Sequence, residues 1–293
     1  WPALEDDERA LRARYLARPV EIDGGRVEFD EAALARAAVK YGRAVAHVAA
    51  MYRHLASLRP AGSFELEVSV DETDTPTSPA EHVYVASELR RLGVRWVSLA
   101  PRFVGRFEKG VDYIGPLDAF RADLVVHAAI ARALGPYKLS LHSGSDKFSL
   151  YQAFAEATRG LAHLKTAGTS YLEALRTVAR VAPALLLEIY AFARERYPED
   201  RASYHVSASL EAAPAPHHLG TADAPALLAQ FDAREVLHVT FGSVLTARDA
   251  AGALRFASRL RAELEREPEA YAACLARHFT RHLAPFAAVV VSP

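Results

Sequence analysis

The chain has 293 residues, 51% of them hydrophobic, which suits one α/β-barrel-sized domain with a large core better than two separate modules. Its formal net charge is -1 with acids and bases interspersed, which argues against nucleic acid or an anionic membrane as partner and for a small-molecule substrate. The single cysteine, Cys274, excludes a disulfide framework and a cysteine-based zinc site, and no apolar stretch is long enough to span a bilayer, so the reading is a cytoplasmic protein.

The first strong pattern is helical. Leu34, Ala38, Tyr41, Val45, Val48, Tyr52 and Leu55 recur at three-to-four spacing and predict a helix over Glu31–Leu58 with Asp30 as its N-cap. Short β-like runs then alternate with amphipathic helices, at 64–71, 96–101, 137–142, 161–166, 204–209 and 236–241, with two more helices after the last. This order implies a parallel sheet with right-handed crossovers. No glycine-rich nucleotide fingerprint follows any of the runs, so a (β/α) TIM-like barrel is preferred to an open doubly wound sheet. Six candidate strands instead of eight, in a chain that starts at Trp1, are read as a barrel lacking its N-terminal strands here. The single domain, 1–293, divides into a helical part at 1–62, barrel strands at 63–246 and C-terminal helices at 247–293.

In a parallel barrel one strand face meets the surrounding helices and is apolar, while the other points inward and carries polar groups near the strand's C-terminal end. Alternation then places Glu67, Ser69 and Asp71 inward on the first strand, Ser98, Ala100 and Arg102 on the second, and Lys138, Ser140 and His142 on the third. The fourth contributes His163 and Lys165, the fifth His205 and Ser207, and the sixth His238 and Thr240. Buried charges cost several kcal/mol each unless paired, hydrated or bound to metal, so an interior this polar implies a functional cavity. His142, His205 and His238 with Asp71 form a mixed nitrogen and oxygen donor set suited to a divalent ion such as Mn, Ni, Zn, Co or Fe. Glu67 and His163 are alternates, since alternation gives direction but not depth. His47, His54, His82, His127, His278 and His282 fall on helices and are read as structural, and the loop pair His217 and His218 as solvated.

Only five of the 35 basic residues are lysines, which suggests a GC-rich or heat-adapted source. Four of them, Lys109, Lys138, Lys147 and Lys165, lie in one central stretch, where a lysine in an arginine-rich chain points to a specific task.

Six strings stand out in these segments: VDETDTPT (70–77), LAPRFVGRFEKGVDYIG (99–115), GPYKLSLHSGSDKFS (135–149), HLKTAGTSYLEALR (163–176), YHVSAS (204–209) and VLHVTFGS (236–243). In them the chain resembles the tagaturonate epimerase family, whose members interconvert tagaturonate and fructuronate. The resemblance implies epimerisation of a sugar acid at the carbon β to its ketone, by retro-aldol cleavage and recombination with a divalent metal as Lewis acid. Glu72 and Lys165 are the candidates for moving the hydroxyl proton. Arg102 and Lys147, with Arg106 beside them, are candidates for clamping the uronate carboxylate; Ser143 and Asp146 for binding sugar hydroxyls. Gly168 and Thr169 read as a loop and helix cap. A metal-dependent aldolase or isomerase of a related sugar acid, and a non-catalytic sugar-acid-binding protein, are the rival readings; homo-oligomeric assembly is open.

Overall fold

The computed structural model describes residues 4–60, 62–166 and 169–289. Trp1 and Gly168 therefore lie outside the described residues. Helix α1 (Glu8–Tyr15) is followed by a small antiparallel hairpin, β1 (Val20–Ile22) and β2 (Gly25–Val27). Helix α2 then runs over Glu31–Leu58 as its periodicity predicts, and the Asp30 carboxylate caps it by accepting the Ala33 amide at 2.6 Å.

Next comes a four-stranded sheet whose strands β3 (Glu67–Ser69), β4 (Ser98–Ala100), β5 (Lys138–Leu141) and β6 (Ala162–Leu164) pair in sequential order, all parallel. The crossovers are helices α3 (Pro79–Arg91), α4 (Leu117–Leu134) and α5 (Tyr151–Thr158), which pack on one another in sequence. Helix α3 opens with a capping box in which Ser78 and Glu81 satisfy each other's backbone amides. Val68, Leu99 and Leu139 are buried in register on the apolar face, while Glu67, Ser98 and Ser140 lie on the other, so the alternation holds for all four strands. Phe103, Phe120 and Phe154 are wholly buried beside them, each contributing roughly 1.5–3 kcal/mol.

The architecture is therefore mixed α/β, mostly helical, with one parallel sheet, and among the described residues no closed barrel forms. Two expected strands are corrected. The run 236–241 falls on helix α9 (Phe231–Val239), which follows α8 (Ala224–Leu227), on the turn at Thr240 and on the first residue of α10 (Phe241–Thr246), because Ala233, Val236, Leu237 and Thr240 are buried at helical spacing and Gln230 caps the start of α9. The run 204–209 belongs to no strand among the described residues, and carboxylates take up the amides of Ser207, Ala208 and Ser209.

A second hydrophobic cluster gathers the C-terminal helices. Helix α6 (Thr169–Val181) packs on α7 (Pro183–Asp200), α11 (Ala257–Arg266) and α12 (Pro268–Ala287), and α12 also packs on α5, joining this cluster to the sheet. Among the described residues no helix is long and apolar enough to cross a membrane.

Candidate active site

The polar face of the sheet is a connected network. Glu67 Oε2 accepts from Ser98 Oγ at 2.8 Å and Ser140 Oγ at 2.9 Å and contacts His163 Nδ1, and Glu67 Oε1 lies 3.3 Å from Lys165 Nζ. Burial alone would raise the Glu67 carboxyl, but the two hydroxyl donors with the charges of His163 and Lys165 outweigh it and hold it below the usual carboxylate range. Lys165 Nζ also donates to Ser69 Oγ at 2.6 Å and lies 3.9 Å from Asp71 Oδ1, so its ammonium is balanced by two carboxylates.

Continuing the strand register past the ends of the strands puts Asp71, Arg102, His142 and Lys165 in one layer on this face. Asp71 Oδ2 is 3.6 Å from His142 Nδ1. Burial pushes the His142 imidazole down to about 4 against the pull of the Asp71 carboxylate, and its Nε2 is buried with no hydrogen-bond partner among the described residues. Arg102 is half-buried, and its charge helps depress His142.

Above this layer opens a cleft of about 270 Å³. Its walls come from all four loops that leave the C-terminal strand ends: Asp71 and Glu72 after β3, Lys109 and Gly110 after β4, Ser143 and Ser145 after β5, and Lys165 and Thr166 after β6. Glu72 and Lys109 are exposed to it. The turn after β5 is tight: Ser143 and Asp146 are left-handed at φ 45° and 62°, and a Cβ on Gly144 would meet the Leu141 carbonyl oxygen at 2.7 Å.

Several predicted residues stand elsewhere. Lys147 does not reach the cleft; it is fully buried and its Nζ donates to the carbonyls of Glu108 at 2.7 Å, Val111 at 2.6 Å and Ser145 at 3.1 Å. Burial pushes its amine down to about 8, with Asp146 opposing. Asp146 is buried and accepts from Arg234 Nη2 at 2.9 Å instead of facing a sugar. Arg106 lies 3.6 Å from Glu108 Oε1. His205 is exposed in the segment 204–209. His238 is buried on α9 against Gly110, where an added Cβ would meet its ring at 2.8 Å; burial pushes it down to about 4, and its Nδ1 has no hydrogen-bond partner among the described residues. Asp71 and His142 thus adjoin, while His205 and His238 leave from other elements, and among the described residues no three His, Cys, Asp or Glu side chains gather to hold a metal ion. Four of the helix histidines lie in two buried pairs, His82 Nδ1 2.8 Å from His127 Nδ1 and His282 Nδ1 2.9 Å from the His278 carbonyl oxygen, while His47 and His54 are exposed.

In the sequence Glu67 stands only as an alternate, and the rarity of lysine is the one signal that marks Lys109.

The family model for tagaturonate epimerase (UxaE) matches residues 2–286. The chain belongs to the tagaturonate epimerase family. It is 47% identical over 269 residues to the tagaturonate/fructuronate epimerase of Thermotoga maritima, covering 92% of this chain and 54% of that one. Among solved structures it resembles the glycerol-bound fructuronate-tagaturonate epimerase UxaE of Cohnella laeviribosi, with a TM-score of 0.92 and 37% identity over 99% of this chain and 59% of that one. The native form of that protein aligns with a TM-score of 0.91. The chain therefore spans between half and three fifths of the length of these relatives.

Proposed function

We propose that the cleft binds a ketohexuronate and epimerises it, interconverting tagaturonate and fructuronate, the two sugar acids in the Thermotoga maritima relative's name. The observation that carries this reading is that four successive βα loops of a chain of this family wall one polar cleft at the C-terminal ends of a parallel sheet. Strand order without reversal is also that of an arc of a (β/α) barrel, the fuller architecture this reading takes.

The carbon to be inverted lies β to the ketone, so the carbonyl does not acidify its hydrogen and simple proton abstraction is a poor route. Retro-aldol cleavage is a better one. Glu72, an exposed carboxylate in the cleft, takes the β-hydroxyl proton; the oxygen's electrons form an aldehyde, the bond between the α and β carbons breaks, and its pair moves onto the ketone. Lys165, held by Glu67 and Ser69, donates a hydrogen bond to the ketone oxygen as it gains charge. After the aldehyde turns its other face, the carbon–carbon bond reforms and Glu72 returns the proton. Ser143 hydrogen-bonds the sugar hydroxyls, and Arg102 adds positive charge near the reacting oxygens. Asp146 and Lys147 act only through the loops they hold.

A divalent cation belongs to the same reading. Asp71 and His142 are adjacent donors, and His142 and His238 each keep a buried ring nitrogen unpartnered, as an imidazole reserved for another ligand would. Asp71 and His142 would anchor the ion, and it would supply Lewis-acid polarisation of the ketone.

The test is to strip the protein with a chelator and follow fructuronate by NMR with and without Mn, Ni or Zn. Metal-restored conversion to tagaturonate is the expected outcome, with Glu72→Gln lowering kcat by about 100- to 10,000-fold. No conversion with any metal would overturn the reading.

A further inference from the structure

The loop between β4 and α4 crosses the cleft wall as a strap over residues 108–112, and it is held at nearly every position. Lys147 Nζ, buried beneath it, binds the carbonyl oxygens of Glu108 and Val111. Arg234 Nε binds the carbonyl of Gly110. The Glu108 carboxylate accepts from Ser207 N at 2.7 Å and Ser207 Oγ at 2.8 Å, and the Asp112 carboxylate from Ser149 Oγ at 2.9 Å. Gly110 itself is left-handed at φ 82° and pressed against the His238 ring, leaving no room for a side chain.

The exception is Lys109. Its side chain is exposed, lines the cleft, and makes no ion pair among the described residues; its Nζ lies 5.3 Å from the Tyr204 ring, and its charge is felt by His238. The other cleft lysine, Lys165, already faces two carboxylates. Arg102 sits in the layer beneath, beside His142, and is not part of the cleft wall. A rigid backbone presenting one uncommitted ammonium to a polar cavity is the arrangement that binds an anion at low ordering cost.

We propose that Lys109 binds the carboxylate of the substrate and so selects sugar acids over neutral ketoses. This rests on the cleft being the substrate site, and it assigns to Lys109 the clamp that sequence reading gave to Arg102 and Lys147. The rest of the sugar then extends from Lys109 toward Glu72 and Lys165, with its charged end on the β4 side of the cleft.

Calorimetric titration of the wild type, K109M, K109R and R102Q with fructuronate and with fructose tests it. K109M is expected to bind fructuronate about 10- to 100-fold more weakly, approaching the wild type's affinity for fructose, with K109R recovering most of the loss. Raised salt should weaken fructuronate binding in the wild type and much less in K109M. Equal weakening of both sugars in K109M, loss of the preference in R102Q in place of K109M, or no fructuronate binding by the wild type would each overturn the assignment. Binding with the expected selectivity but without conversion would leave Lys109 supported and overturn the epimerase reading alone.

Discussion

Lys109 and Lys147 show how little a residue type says about its task. Both stand out in an arginine-rich chain, and both lie in the region where function was expected. One is exposed on the cleft wall; the other is wholly buried and holds three carbonyl oxygens. Removing the buried one leaves those oxygens without a donor and frees the strap. Lys147→Met is expected to cost about 3–5 kcal/mol, read as a lower urea midpoint, whereas Lys109→Met should change stability by less than about 0.5 kcal/mol. Similar losses in the two variants would contradict the structural role given to Lys147. The distinction was not legible in sequence because alternation rules apply to strands, and both lysines lie in loops whose paths depend on α9 and on the turn after β5.

In the segment 204–209, Tyr204, Val206 and Ala208 alternate with His205, Ser207 and Ser209 as in a strand, yet among the described residues no neighbouring strand takes up its amides. Instead Glu108 accepts from Ser207 N, Glu235 Oε2 from Ala208 N at 2.8 Å, and Asp232 from Ser209 N at 2.8 Å. Three acids from the strap and α9 thus replace a strand partner. Burial, joined by the neighbouring Glu108 carboxylate, raises the Glu235 carboxyl to about 8. An acid raised in the fold contributes stability that is complete below its unfolded value near 4.5 and is lost as pH rises through about 8. Glu235→Gln keeps a donor toward Glu108 and an acceptor for Ala208 while removing the titration. It should melt roughly 3–6 °C above the wild type at pH 9, and a lower melting temperature there would refute the raised Glu235 carboxyl. By contrast, β3 to β6 were legible because each pairs with the next strand in sequence, with only a helix between, and every one carries an apolar face and a polar one.

Across the whole molecule, buried imidazoles set the acid limit. Burial holds His82 well below its usual range, with His127 adding to the effect, and pushes His278 down to about 4, and neither lines the cleft. The unfolded chain binds protons near pH 6.5 that these side chains reject in the fold, so their stability is complete above that value and lost as pH falls toward 4. At full extent the His278 shift is worth about 3 kcal/mol. Urea midpoints of the metal-stripped protein should therefore decline between pH 6.5 and 4, before most carboxylates titrate, and a flat profile across that window would show that both imidazoles charge freely in the fold.

Local pattern was sufficient for helix α2 and its cap, for the four sheet strands and the polar face they share, and for placing Asp71, His142 and Lys165 together, because each depends on periodicity or on pairing between consecutive elements. The remainder was decided by tertiary structure: the helical state of 236–239, the strandless 204–209, the burial of Lys147 and Asp146, and the exposure of Lys109. Those outcomes follow from which distant groups satisfy a buried amide, carbonyl or charge, and that competition among partners leaves no periodic trace in the chain.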